Sequence, residues 1–153
     1  AYTRSRIAAR RDTPPELLVA LAADDVPMVR SNVARNPRTP LDTLLALVRD
    51  AHPDARAAAA ENPALPEPML DELADDPDLY VRRGVGFNRR APDRLLELLA
   101  RDRDGHVRRW VSMNPNTPAW VTSMLLDDAD AVVSNFAMWR GRRDALLASL
   151  PRG

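Results

Sequence analysis

The chain has 153 residues, 45% of them hydrophobic, but it holds only three Trp, two Tyr and two Phe, so its core is made of small and medium side chains that suit helix packing better than a sheet sandwich. Its 22 basic residues, all arginine, are balanced by 22 acidic ones, which removes a global attraction to nucleic acid or anionic membrane, and the lack of cysteine removes disulfides, thiolate metal sites and a cysteine nucleophile. No apolar run approaches the ~20 residues of a membrane helix and the opening Ala-Tyr-Thr-Arg-Ser-Arg is no signal peptide, so a soluble, cytoplasmic protein is the expectation.

In chain order, residues 3–8 align with 29–34, so residues 1–9 read as a partial unit that is already in a second helix. Five units of 26 residues follow, 10–35, 36–61, 62–87, 88–113 and 114–139, and a degenerate C-terminal unit covers 140–153. The period is written in Asn36, Asn62, Asn88 and Asn114, in Pro14, Pro40, Pro66, Pro92 and Pro118, and in Leu21, Leu47, Leu73, Leu99 and Leu125. Such a period signals a single all-α solenoid domain, in which each unit buries its apolar face only against its neighbours.

Within a unit, Thr13-Pro14-Pro15-Glu16 or Thr39-Pro40-Leu41-Asp42 predicts the start of a first helix, with threonine as N-cap and proline at the first helical position. Leu17, Leu18 and Leu21, like Leu95, Leu96 and Leu99, form its apolar face. An aspartate and a turn end it. A second, shorter helix is predicted over about Met28 to Arg35 and its equivalents, partly 3₁₀, with Val29 and Val33 inward. Asparagine closes this helix as a residue that tolerates a left-handed turn, and proline enforces the stop. Beyond Arg140 the Asn-Pro signature is lost, but Ala145-Leu146-Leu147 reads as another first helix.

The run Asn36-Pro37-Arg38-Thr39-Pro40 continuing into Leu44, Leu47 and Asp50 resembles the leucine-rich repeat variant family, as does Asn114-Pro115-Asn116-Thr117-Pro118 continuing into Leu125 and Asp128. The resemblance runs through essentially the whole chain and implies a right-handed superhelix of alternating α and short or 3₁₀ helices. The iron–sulfur segment of the founding member cannot be carried over to a chain without cysteine, so no cofactor is expected. Asp76-Pro77-Asp78-Leu79-Tyr80-Val81-Arg82 also resembles the aspartate-to-Val-Arg step of HEAT repeats, where such residues form a ladder between units. Neither family shares one activity.

That resemblance, and the equal period of Asp24, Asp50, Asp76, Asp102 and Asp128 and of Arg30, Arg56, Arg82 and Arg108, make these columns a structural ladder. The 100° step of a helix turns positions 28, 31 and 35 away from the core. Their equivalents include Asp54, Ala57 and Glu61, then Tyr80, Arg83 and Phe87, His106, Arg109 and Met113, and Val132, Asn135 and Trp139. Aromatic residues beside arginine are what a protein or peptide partner uses as anchors, so Tyr80, Arg83, Phe87, His106, Arg109, Met113, Asn135 and Trp139 are the candidate partner-binding residues. Trp110, Trp120 and Trp139 suggest a capped C-terminal end or a homodimer interface. Residues 82–109 hold nine arginines and four acids, so a nucleic-acid-binding solenoid using Arg82, Arg83, Arg89, Arg90, Arg108 and Arg109 is the alternative. His52 and His106 fall in different columns with no spaced ligand partner, no metal site is indicated, and a non-enzymatic scaffold is expected.

Overall fold

The structure, a computed structural model, describes residues 2–149, and among them are eleven helices and no strand. The helices of the first kind are α2 (Pro15–Leu21), α4 (Leu41–Leu47), α6 (Glu67–Ala74), α8 (Asp93–Leu99) and α10 (Ala119–Met124). Those of the second kind are α1 (Tyr2–Ala9), α3 (Pro27–Arg35), α5 (Pro53–Glu61), α7 (Leu79–Phe87), α9 (Gly105–Met113) and α11 (Ala131–Ser149). Second helices stack on one another in sequence order, and each first helix packs beside the second helices of its own unit.

The core follows from this stacking. Val29, Val33, Val81, Val85, Val107 and Val111 are fully buried on the second helices, and Leu18, Leu44, Leu70 and Leu96 on the first. The leucine column from Leu21 to Leu125 is buried at every rung. Each such side chain contributes ~1.5–3 kcal/mol on leaving water. Leu17 departs from the expected face and is exposed, while its equivalent Leu95 is buried.

Four local expectations are corrected. The second helices are not the shorter ones: α3, α5, α7 and α9 each have nine residues, α2, α4 and α8 seven, and all are α-helical. Second helices are packed from both sides along the stack, whereas the first helices lie beside it. Second, threonine is not the N-cap. That position belongs to Pro40, whose extended backbone leaves its carbonyl to accept from Leu44 N at 3.0 Å. The threonine faces backward, and Thr117 Oγ1 donates to Val111 O at 2.6 Å, supplying a carbonyl at the end of α9 with a donor. Where threonine is absent, Leu65 and Ala91 fill the space and are buried.

Third, asparagine does not end the second helix by a left-handed turn: Asn36 has φ −70° and ψ 127°, and no residue described here has positive φ. Last, residues 140–149 do not open a separate first helix. They prolong α11, because Arg140-Gly141 stands where Asn-Pro would break the chain.

Candidate functional site

Two polar seams hold the units in register. In the first, Arg30 donates from Nε and a terminal nitrogen to both oxygens of Asp50, at 2.6 and 2.8 Å, in the following unit. Its other terminal nitrogen donates to Asp24 O at 2.7 Å. Arg56 repeats this with Asp76, Arg82 with Asp102 and Arg108 with Asp128, and Arg4 pairs with Asp24 in the same manner. Each aspartate also accepts the N–H two residues ahead, as Asp50 does from His52 at 2.8 Å, which shapes the turn between the helices.

The electrostatics follow the geometry. Arg108 holds the Asp128 carboxyl below its usual range, burial opposes this, and Asp130 N–H assists it. At Asp50 and Asp102 burial is the largest influence and acts upward, but Arg30 or Arg82, together with a backbone N–H, outweighs it and the net direction is down.

The second seam is the asparagine column. Asn88 Nδ2 donates to Ala60 O at 2.7 Å and Asn62 O at 3.1 Å, at the end of α5 and just beyond it, and its Oδ1 accepts from Arg90 N at 2.8 Å. Asn36, Asn62 and Asn114 make equivalent bonds, and all four are buried. At the last rung Arg140 takes the asparagine's place and donates to the carbonyls of Asn114, Pro115 and Thr117. Reading asparagine as turn chemistry missed this seam, although an amide carrying both donor and acceptor, repeated at every unit, was a signal for it.

The outward face of the second helices differs from the one the helical step implied. Ser31 and Ala57 are buried, because this column lies against the next helix of the stack. The column grows to arginine at Arg83 and Arg109, which emerge half-buried, and to exposed Asn135. Tyr80, Phe87, Met113 and Trp139 are exposed, at 52%, 43%, 38% and 60%, and His106 is exposed as well.

Trp110 and Phe136 join them. Trp110 belongs to this face and not only to a C-terminal cap: its ring meets Phe87 edge to face, with centroids 5.1 Å apart and planes at 83°. Arg83 lies over the rings of Tyr80 and Trp110, at 5.1 and 5.8 Å, and Arg109 lies over Phe136 at 5.7 Å. The pattern is regular, for the residue in the column of Trp110 and Phe136 reaches back to the helix before it. Asn32 does the same with Ser5 at 2.7 Å. The result is a strip over α7, α9 and α11 in which rings and guanidinium groups alternate. Trp120 lies apart, exposed on α10.

Among the described residues, no group of His, Asp and Glu could hold a metal ion, and no helix is long and apolar enough to cross a membrane. Two-helix units stacked at a constant period and joined by two polar seams define a helical-repeat solenoid. Residues 27–52 and 53–78 match the leucine rich repeat variant family, each over one full period. A solved structure described as a leucine-rich repeat variant with a novel repetitive protein structural motif is 25% identical, with 90% of this chain and 70% of that one covered and a TM-score of 0.43. No curated protein matches the sequence.

Proposed function

We propose that this solenoid is a non-enzymatic binding scaffold whose second-helix strip receives a protein or peptide partner. The observation that carries the reading is the strip itself: Tyr80, Phe87, Met113 and Trp139 are left uncovered by the chain and are interleaved with half-buried arginines. Exposed aromatic residues beside arginine match the composition of interface anchors.

Charge favours this reading over nucleic acid. Of the nine arginines in 82–109, five are paired with carboxylates: Arg82, Arg83, Arg94, Arg101 and Arg108. Arg89 and Arg90 stand in the loop after Asn88, and Arg103 in the loop that carries Asp102, so they do not line one track.

The test is a pull-down from the source organism followed by calorimetry with the partner recovered. Tyr80→Ala and Phe87→Ala should each weaken binding by more than ~1 kcal/mol and hardly change Tm. Arg82→Ala should lower Tm by leaving Asp102 buried and unpaired. Binding indifferent to both strip variants, or a partner that proves to be nucleic acid held with steep salt dependence, would sink the proposal.

A further inference from the structure

The strip carries a preference in its charges. Resting on the protein-binding reading above, we propose that its ligand is an acidic peptide segment in which an aspartate or glutamate lies within a few residues of a bulky apolar side chain.

Arg109 is the first reason. It is half-buried, and among the described residues no carboxylate lies within ion-pair distance of it; its contact is the face of Phe136. The ladder arginines, by contrast, are each saturated by a carboxylate and a carbonyl. A guanidinium laid on a ring is held in orientation but keeps its in-plane N–H groups for a carboxylate, the geometry in which arginine binds most specifically.

Arg83 repeats the arrangement. It stacks on Tyr80 and Trp110 and reaches Glu61 only at 3.4 Å, while Glu61 is also held by Arg35 at 3.0 Å. The aspartates at the starts of these helices, Asp78, Asp104 and Asp130, each accept a backbone N–H of the first turn at 2.8 Å.

Two apolar recesses lie along the strip, one lined by Arg83 and the other sharing the Phe136 ring on which Arg109 lies. One of about 200 Å³ is bounded by Glu61, Arg83, Phe87 and Trp110. Another of about 250 Å³ lies among Met113, Phe136, Trp139, Arg140 and Arg143. Each has room for one bulky side chain next to a guanidinium, so carboxylate and apolar group are read together. A polyanion fits less well, because Asp54, Glu61, Asp78 and Asp104 border the same face and would repel successive phosphates, whereas a segment with one or two carboxylates meets only the arginines.

The test pans a random peptide display library on the full chain, with a Phe87→Ala/Trp110→Ala double variant as control. Fluorescence anisotropy then measures the enriched peptides and a mixed-sequence single-stranded RNA. Enriched peptides should share Asp or Glu near Phe, Trp or Leu. Changing that acid to its amide should weaken binding roughly tenfold, Arg109→Gln should do the same, and the two losses should not add. Arg109→Lys, which keeps the charge, should retain part of the affinity, and melting curves of both variants report folding. The amide-substituted peptide on the unaltered chain gives the answer independently of either variant.

Enriched peptides that are neutral or basic, or an amide change without effect, would overturn the acidic preference and leave the protein-binding reading standing. No enrichment over the double variant, or RNA that binds in preference to every peptide, would overturn both.

Discussion

At the scale of the residue, the two seams divide the work by chemistry. An arginine can reach one carboxylate with two parallel bonds and still spare a third donor for a carbonyl, which is what Arg30, Arg56, Arg82 and Arg108 do. An asparagine offers two donors and an acceptor within one short side chain, enough to tie two carbonyls behind it and an N–H ahead. The ladder makes stability depend on pH in a definite direction. Asp24, Asp50, Asp102 and Asp128 have values lowered in the fold from the ordinary aspartate value of 3.8. Their stabilisation is therefore complete above that value and is lost as pH falls through the lower, folded values. Thermal melts should show a level Tm from about pH 7 to about pH 5 and a fall between about pH 4 and pH 2. A Tm at pH 2 equal to that at neutrality would contradict the pairing.

Among elements, the close approach of α5 and α7 turns on one residue. A Cβ on Gly84 would stand 2.8 Å from the backbone oxygen of Ala57 and 2.9 Å from the Ala60 Cβ, and a backbone atom cannot swing away. Gly141, also in a helix, has nothing within 4 Å. Helix propensity favours alanine at both, so the difference isolates packing. Gly84→Ala should destabilise the fold by ~1–3 kcal/mol, and Gly141→Ala should stabilise it by ~0.5–1 kcal/mol, as read from urea unfolding. Equal effects of the two would mean that α5 and α7 are not so close.

The period, the helix pairs and the buried leucines were legible in the sequence, because each depends on residues near one another in the chain. The bonds of Asn88 were not, since its partners are 26 and 28 residues away and a turn explains the same column equally well. Nor was the depth of the column of Ser31 and Ala57: a helical wheel assumes one buried face, but a stacked helix is covered on two. Trp110 was assigned to a cap for the same reason, because its partner ring, Phe87, belongs to the preceding helix.

Across the whole molecule the repeat ends by substitution and not by a new element. Ser134 stands where the next ladder arginine would be, and Arg140 fills the last asparagine position while α11 runs on through it. Nearest-neighbour coupling then confines the effect of a change to the layers it touches. Arg140→Ala should speed amide hydrogen exchange in α10 and α11, because three carbonyls of the loop leading into α10 lose their donor, and leave α3 and α5 unchanged. Uniform loss of protection along the chain would indicate a single cooperative unit in place of a layered one.

Each seam also has a consequence for length. Every period contributes one guanidinium reaching forward, one carboxylate receiving from behind, and one amide reaching back. Excising 53–78 would bring Asn88 to the carbonyls of Ala34 and Asn36, which Asn62 now holds, and would remove Arg56 and Asp76 together. No donor is stranded, and the ladder's charge is unaltered. A cut of half a period would strand both kinds of group at once. Genes encoding such arrays can therefore gain or lose whole periods by unequal recombination and still specify a closed set of bonds, with the outward strip of the second helices lengthened or shortened one helix at a time.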